Sequence, residues 1–252
     1  VLMPTLLLKM SGPLQSWGTQ SRFRRRDAGH EPSKSGVIGM VAAALGRSRN
    51  EPVDDLVSLR FAVRTDASGT LIRDYQTAKN WAKNPNGAAS LSTRMYLSDA
   101  VFVVALEGER EQLETIESAL KKPVYPLYLG RRACPAGYDL VLGIREESAE
   151  EALRSLEWQV PEYRRKDFPS PVALRILRDA LPGERGDLVR DIPVSFSSEH
   201  RQYASREVVS VEPVLVNVNE DQPAQNMEEE ASVKSSSAQH SELDYMKAVM
   251  EA

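Results

Sequence analysis

The apolar segments of the first 150 residues follow an order that few folds can accommodate. Short runs with the composition of buried strands lie at residues 5–10, 59–64, 101–106 and 140–144. Segments with helical spacing of apolar residues separate the first run from the second and the third from the fourth. Strand, helix, strand, long excursion, strand, helix, strand is the split βαβ order of an α+β sheet with its helices on one face. We therefore predict a ferredoxin-like (RRM-like) domain over residues 1–150.

Both predicted helices carry boundary signals. The first follows Ser33 and Ser35, either of which can act as N-cap, and its apolar stripe stops at Gly46. The second spans residues 109–122, with acidic residues early, lysines late and a proline beyond. Free backbone N–H groups at the start of the first helix favour anions. We therefore predict a phosphate-binding site at Ser33, Lys34 and Ser35.

The excursion between the second and third strands is predicted to leave the sheet. Residues 70–77 read as an arm that returns beside the strand at 59–64. The residues that follow are polar, rich in Asn and Ser, and contain Trp81. This composition is typical of a projecting loop.

The chain changes character beyond residue 150, where prolines break it into short pieces. Strands are predicted at 192–196 and 207–216, as a small β-rich region over residues 151–216. Residues 217–252 are acidic and serine-rich, and we interpret them as a flexible tail that could end in a short helix at 243–250.

Charge is distributed unevenly along the chain. The net charge is −4 overall, but it is +6 over residues 1–100, −4 over 101–216 and −6 over 217–252. Between residues 22 and 49, seven basic residues face only two acidic ones. Nucleic-acid binding depends on the local field, so the acidic total does not exclude it. A solvated basic surface is the simpler alternative.

Aromatic side chains are interleaved with these basic residues. Trp17 and Phe23 lie close to Arg22 and Arg26, and such a set can stack on unpaired bases while arginines bind phosphates. Two further clusters combine the same residue types, one over residues 125–132 and one over 200–206. Ordinary core packing is the alternative for each aromatic residue taken singly.

Several classes of protein are excluded by composition. The longest nonpolar runs fall far short of the roughly 20 residues that a membrane helix needs, and the N-terminus lacks the features of a secretion signal. We therefore expect a cytoplasmic protein without a membrane partner. Cys134 and three scattered histidines make a poor metal site, so we expect no metal and no cofactor. Residues 29–36 lack the glycines of a nucleotide-binding P-loop, which argues against an ATPase.

Two longer stretches resemble a known family. Gly-Pro-Leu-Gln-Ser-Trp-Gly at 12–18, followed by Pro-Ser-Lys-Ser-Gly-Val-Ile-Gly at 32–39, resembles the N-terminal signature of the CasD family, the type I-E CRISPR Cascade subunit that caps the guide RNA. Further matching stretches lie at 21–26, 74–77, 94–100, 123–135 and 203–206. The resemblance covers residues 5–215 and leaves the acidic tail outside it.

The resemblance implies a fold and a function. It implies a ferredoxin-like RAMP domain, a β-hairpin thumb at about 78–97 and a small C-terminal β region. It further implies a noncatalytic protein that binds the 5′ handle of the CRISPR RNA. The implied partners are the adjacent Cascade backbone subunit, the large PAM-reading subunit and, through the complex, target DNA.

The resemblance also implies site residues, position by position. The side chains that would line the handle site are Gln15, Ser16, Trp17, Arg22, Arg26 and Lys34. Those that would flank the thumb base are Gln76, Arg94 and Tyr96, and the outer phosphate contacts would be Arg131, Arg132 and Arg206.

Two alternatives stay open at this point. Relatives in another subtype cleave precursor RNA, and metal-free cleavage here would need His30 to converge with Lys34 or Tyr75. Other candidate nucleophiles or bases are His200, Tyr96 and Cys134, whose spacing carries no information. The second alternative is a protein-interaction module whose arginines are only solvated.

Overall fold

The structure, a computed structural model, describes residues 3–18, 25–26, 28–79, 81–82, 86–197 and 199–218. The helices are α1 Lys34–Ala44, α2 Asp54–Val57, α3 Arg110–Lys121, α4 Ala149–Ser155 and α5 Glu162–Arg165. The strands are β1 Thr5–Ser11, β2 Leu14–Gln15, β3 Trp17–Gly18, β4 Arg25–Arg26, β5 Ala28–Gly29, β6 Arg60–Ala67, β7 Thr70–Ala78, β8 Ser90–Ser98, β9 Val101–Glu107, β10 Val141–Arg145, β11 Val172–Asp179, β12 Asp187–Ser195 and β13 Gln202–Val216.

A seven-stranded sheet of order β10-β1-β9-β6-β11-β13-β12 forms the frame. Its first four strands are antiparallel neighbours. Helices α1 and α3 pack on the face of β1 that carries Leu6, Leu8 and Met10. Strand order, direction and helix positions are those of a βαββαβ unit, so the predicted ferredoxin-like α+β fold is confirmed.

Helix α4 covers the opposite face, which corrects the prediction of helices on one face only. Leu7 of β1 and Val103 of β9 belong to the apolar cluster that includes Leu153 of α4. The helix begins with a capping box, in which the Ser148 and Glu151 side chains each bond the other's backbone N–H. The sheet is thus buried on both sides over β1, β9 and β6.

The C-terminal strands extend the same sheet. Strand β11 pairs with β6, with Leu177 opposite Val63, and β13 lies between β11 and β12. The strands predicted at 192–196 and 207–216 are therefore present, as parts of β12 and β13, but they continue the main sheet. Because β12 lies beside α1, the segment that follows β12 reaches the surface of that helix.

Strands β7 and β8 form a long hairpin outside the main sheet. They pair from Thr70 opposite Ser98 to Ala78 opposite Ser90. The prediction that residues 70–77 return beside 59–64 is wrong, because β9 and β11 occupy both edges of β6. Gly69 has a φ of +68°, and a Cβ there would lie 2.4 Å from the Ser98 carbonyl oxygen. The hairpin therefore starts eight residues before the predicted thumb.

Some predictions fall on residues that the structure does not describe. They concern Arg22, Phe23 and residues 219–252, which include the predicted helix at 243–250. Within the described ranges, every helix is too short or too polar to cross a membrane.

Candidate nucleic-acid interface

The side chains of Gln15 and Trp17 belong to the core. Both are 0% exposed. Gln15 Nε2 donates to the carbonyl oxygens of Met10 (2.9 Å) and Ala100 (2.7 Å), and its Oε1 accepts from Trp17 Nε1 at 3.0 Å. We had predicted that both side chains line an RNA site. Their burial and internal hydrogen bonds correct this prediction, because neither presents a free polar atom or ring face to solvent.

Trp17 explains why the two halves of the N-terminal signature occur together. A Cβ at Gly36 would lie 2.9 Å from Trp17 Cε3 and 3.2 Å from Cζ3. The indole therefore packs directly on the first turn of α1, and a side chain at position 36 would displace it. The signature is a packing unit that fixes the helix start.

The N-terminus of α1 already holds an anion from the chain itself. Ser33 is the N-cap, and its Oγ accepts from the Gly36 N–H at 3.2 Å. The backbone N–H of Lys34 donates to Asp191 Oδ2 at 2.7 Å. The predicted phosphate site at Ser33 and Lys34 is therefore corrected: the carboxylate of Asp191 satisfies the helix terminus.

Lys34 and Arg206 form a buried charge set with Asp179 and Asp191. Lys34 Nζ lies 3.1 Å from Asp179 Oδ2. Arg206 donates to Asp179 Oδ1 at 2.6 Å and to both oxygens of Asp191 at 2.7 and 2.9 Å. Burial lowers the pKa of the Lys34 ammonium, and Asp179 offsets only part of that effect. Both cations face carboxylates, which corrects their prediction as phosphate contacts.

A second group of predicted residues meets at the base of the β7–β8 hairpin. Ser16 Oγ and Arg131 Nη1 both donate to the Met95 carbonyl oxygen, at 3.0 and 3.2 Å. The Arg131 guanidinium carbon lies 5.0 Å from the ring centroid of Tyr96, which is buried. Ser16, Tyr96 and Arg131 were predicted at three separate places, and the structure brings them together. Their contacts attach the segment that carries Arg131 to the hairpin.

Gln76 and Arg94 lie farther along the hairpin. Gln76 Nε2 donates to Asp74 Oδ2 at 2.5 Å, and Asp74 lies opposite Arg94 in the strand register. Arg94 Nε is buried and has no hydrogen-bond partner in the described part of the chain. Arg26 of β4 also lies opposite Arg94, in the parallel register of β4 with β8.

A cleft of about 670 Å³ lies over α1, and we refer to it as the arginine cleft. Its floor is α1, one wall is the segment 125–132, and the other is the connection between β12 and β13. The lining residues are Ser35, Gly36, Gly39, Met40, Ala42, Ala43, Arg47, Ser48, Arg49, Tyr125, Pro126, Tyr128, Gly130, Arg132, Phe196, Arg201 and Tyr203. None of these lining residues is acidic.

Short backbone contacts hold the first wall against the protein. The N–H groups of Val124 and Tyr125 donate to carbonyl oxygens in the last turn of α1, at 3.0 and 3.3 Å. Gly130 has a φ of +89°, and a Cβ there would lie 2.0 Å from the Ser16 carbonyl oxygen. Only glycine fits this approach. The close contact of Gly130 with Ser16 therefore helps to position Arg132, two residues further along the chain.

The buried charge set holds the second wall. Asp191 of β12 and Arg206 of β13 bond each other, and Asp191 also bonds the start of α1. Arg190 Nε donates to the Tyr203 carbonyl oxygen at 3.0 Å. Because these contacts attach β12 and β13 to α1, they also fix where Phe196 and Arg201 lie.

The cleft arginines differ in their pairing. Arg47 makes two hydrogen bonds to Asp55, at 2.6 and 2.5 Å, and this carboxylate raises the pKa of the guanidinium. Among described residues, no carboxylate forms an ion pair with Arg49, Arg132 or Arg201. The cleft thus presents Arg49, Arg132 and Arg201, without ion-pair partners in the described ranges, beside aromatic rings, an arrangement that suits a single nucleic-acid strand.

His30, Lys34 and Cys134 are not among the residues that line this cleft. His30 is exposed and lines a different cavity, with Glu31 and Arg175. The Lys34 amine is bound to Asp179, and Cys134 is buried, which raises the pKa of its thiol. In the described ranges no group of three His, Cys, Asp or Glu residues could hold a metal ion.

Sequence reasoning found part of this interface. Arg132 and Ser35 were predicted and line the cleft. The clusters at 125–132 and 200–206 were also recognised, although Arg201 was not proposed as a site residue. Phe196 was missed, since one aromatic residue at the end of the strand predicted at 192–196 carries no signal of its own. Arg22 and Phe23 lie outside the described residues.

Comparisons with known proteins agree on one family. The family model "CRISPR-associated protein (Cas_Cas5)" matches residues 5–240. The "CRISPR system Cascade subunit CasD" of Escherichia coli (strain K12) is 35% identical over 161 residues, which are 57% of this chain and 72% of that protein. The family match extends beyond residue 215, where the resemblance of the sequence was expected to stop.

Two solved structures superpose on most of this chain. A chain of a "CRISPR RNA-guided surveillance complex" superposes with a TM-score of 0.69 at 31% identity, over 89% of this chain and 96% of that chain. A "Crystal structure of Cas protein" gives a TM-score of 0.62 at 38% identity, over 84% and 95%.

Proposed function

The chain belongs to the Cas5 family of CRISPR-associated proteins, and from this premise we propose that it is a noncatalytic subunit of the type I-E CRISPR surveillance complex, Cascade. In this proposal it binds and caps the 5′ handle of the CRISPR RNA and anchors the neighbouring subunits for target DNA recognition in antiviral defence.

The arginine cleft is the observation that carries the proposal. Arg49, Arg132 and Arg201 line it without carboxylate partners among the described residues, and four aromatic residues lie beside them. Arginines that replace condensed counterions on a strand supply most of the sequence-independent affinity for nucleic acid. Surfaces that serve only solubility carry acidic and basic residues together. The lining of this cleft contains basic residues and no acidic ones.

The proposal that the protein is noncatalytic rests on geometry. Metal-free cleavage of RNA requires a base and an acid on either side of one phosphate. His30 lines a different cavity from the arginine cleft, and the Lys34 amine is buried against Asp179. His30 and Lys34 therefore do not form a positioned acid–base pair at the cleft.

The β7–β8 hairpin is the surface that we propose for the adjacent backbone subunit. Leu71, Tyr75 and Leu91 are exposed, and strand alternation and register place them on one face of the hairpin. An exposed apolar face of this kind is typical of a protein contact. The large PAM-reading subunit is proposed as a second neighbour, without a surface assigned to it.

The test incubates the purified full chain with labelled repeat RNA in the absence of metal. We expect binding without cleavage, and an affinity that falls steeply as salt increases. The double variant Arg132→Ala/Arg201→Ala should flatten the slope of log affinity against log salt by about 1.4, at about 0.7 for each lost phosphate contact.

Arg185→Ala is the matched control, because Arg185 is exposed but lies outside the cleft. It should leave the salt slope unchanged. Failure of the unaltered chain to bind RNA, or equal slopes for the double variant and the control, would contradict the proposed site. A defined cut in the RNA would favour the endoribonuclease alternative.

A further inference from the structure

Phe196 occupies an unusual position in the arginine cleft. It follows the last residue of β12 and lies over α1 at Gly39. A Cβ at Gly39 would lie 3.4, 3.8 and 3.9 Å from the Cζ, Cε1 and Cε2 atoms of its ring. The outer edge of the ring therefore points toward α1 at Gly39, while the residue stays partly exposed and lines the cleft.

From this position we infer that Phe196 is a stacking platform for one unpaired base, so that the arginine cleft selects single-stranded over duplex RNA. The inference rests on the proposed function and adds the form of RNA that the cleft accepts. It concerns a residue that neither the family signature nor the sequence clusters named.

The partial exposure of the ring favours stacking over simple core packing. A Cβ at position 39 would already be in van der Waals contact with the ring, so a side chain larger than alanine there would meet it. Phe196 also packs against the main apolar core. A ring fixed in this way loses little conformational entropy when a base is placed on it.

The charges on either side of the ring suit the phosphates of the same nucleotide strand. Arg132 comes from the wall at 125–132, and Arg201 comes from the opposite wall, five residues beyond Phe196. A strand that crosses the cleft would pass both guanidinium groups with its base turned toward the ring. Each element has the residue type that single-strand binding uses.

Duplex RNA cannot use the same platform. In an A-form helix the base faces are stacked on one another, and a protein contacts the phosphates, the sugars and the edges of the wide minor groove. A ring on the wall of a cleft can meet a base face only when that base is unpaired. The arginines would still attract a duplex, so the two RNA forms should differ in their dependence on Phe196.

The experiment compares single-stranded repeat RNA with the same RNA annealed to its complement, by fluorescence anisotropy with the full chain. Phe196→Leu keeps an apolar side chain over Gly39 but removes the aromatic face. We expect it to weaken single-strand binding by about 5- to 150-fold, the range of one base–aromatic stack. Duplex binding should change by less than about twofold, and the salt slope should stay the same because no phosphate contact is lost.

Phe196→Trp is the rescue variant. It should retain single-strand affinity within about threefold, and its indole fluorescence should be quenched by the single strand more than by the duplex. Tyr138→Ala is the aromatic control, since Tyr138 is fully exposed outside the cleft. Thermal unfolding of each variant shows that its effect does not come from loss of the fold.

The outcomes separate this inference from the proposed function. If Phe196→Leu binds the single strand as well as the unaltered chain does, or weakens both RNA forms equally, the stacking platform is refuted. If arginine-dependent binding persists in that case, the proposed function still holds. If the unaltered chain binds neither RNA form, or prefers an acidic peptide to RNA, both conclusions fall.

Discussion

Two groups of basic side chains lie on either side of the start of α1, and they differ in whether described carboxylates pair with them. In the buried charge set, Lys34 and Arg206 face Asp179 and Asp191 at 2.6–3.1 Å. In the arginine cleft, Arg132 and Arg201 have no carboxylate partner among the described residues. Basic residues close in sequence can therefore stabilise the fold or remain available to a ligand, depending on whether the chain supplies the anion.

The buried charge set is also what shapes the cleft. Asp191 joins the N-terminus of α1 to Arg206, and both β12 and β13 lead directly into the wall that carries Phe196 and Arg201. The ion pairs of the buried charge set thus fix the position of the exposed Arg201. Substitutions in the buried charge set should therefore lower the stability of the protein, whereas substitutions of the cleft arginines should weaken RNA binding.

Arg201 and Arg206, two arginines of one segment, should differ most in stability when each is replaced by alanine. Arg206→Ala leaves the buried Asp191 and the half-buried Asp179 without their main cation, and we expect the free energy of unfolding to fall by about 3–5 kcal/mol. Arg201→Ala removes an exposed side chain, and the free energy should change by less than about 0.5 kcal/mol. Denaturant unfolding monitored by tryptophan fluorescence measures both. Equal losses of unfolding free energy for the two variants would show that the two groups of basic side chains do not differ in their contribution to stability.

Two glycines of α1, the helix between the two groups of basic side chains, should differ in how much stability changes when each is replaced by alanine. Gly36→Ala places a Cβ 2.9 Å from the buried indole of Trp17, and we expect a loss of about 1–3 kcal/mol from overpacking. Gly39→Ala meets Phe196 at 3.4 Å and gains helix propensity, so its stability should be unchanged or higher by up to about 1 kcal/mol.

The two glycine variants are each other's control, because both replace the same residue type in the same helix. Denaturant midpoints give the comparison directly. A Gly36→Ala protein as stable as Gly39→Ala would show that Trp17 can move, and the account of the N-terminal signature as a packing unit would then be wrong.

A smaller effect separates the two serines at the start of α1. Ser33 Oγ accepts from the Gly36 N–H, so Ser33→Ala should cost about 1 kcal/mol of stability as a lost N-cap. Ser35 lines the cleft, and Ser35→Ala should change stability by less than about 0.5 kcal/mol. Thermal unfolding with RNA binding in parallel tests this. A reversed order of the two losses would assign the cap to Ser35.

Much of the fold could be predicted from the sequence because its signals are local. The order of apolar runs predicted the ferredoxin-like unit. The first helix begins after Ser33, one of its two candidate N-caps, and ends before Gly46, as predicted. Helix α4 had a readable capping box at Ser148 and was still overlooked. Strand β11 was hidden by Arg175 and Arg178, whose charges interrupt its apolar pattern and are neutralised by acidic residues elsewhere.

The candidate site could be predicted only in part, for a different physical reason. The carboxylates that neutralise Lys34 lie 145 and 157 positions along the chain, and no local pattern indicates that they return to it. Sequence analysis therefore placed Lys34 and Arg206 on the RNA surface. It also recognised the basic and aromatic clusters that do line the cleft, because those residues are close neighbours in sequence.

The smallest effect is a pH dependence that belongs to Lys34 alone. Burial lowers the pKa of its ammonium below the ordinary value of 10.5, so the unfolded chain holds this proton more tightly than the folded chain does. The Lys34 contribution to the free energy of unfolding must therefore rise as the pH increases toward 10.5. Lys34→Met removes the titrating group and leaves Arg206 to pair with both carboxylates.

The measurement compares denaturant unfolding at about pH 7.5 and about pH 10, which lie on either side of the range where lysines begin to lose protons. The unaltered chain should gain stability relative to Lys34→Met at the higher pH, whereas Lys166→Met, which removes an exposed lysine, should show no comparable change. If the difference between the chain and Lys34→Met is constant with pH, burial does not dominate at this lysine. The distinction between buried and exposed cations would then rest on Arg206 alone, whose guanidinium cannot lose its proton in this range.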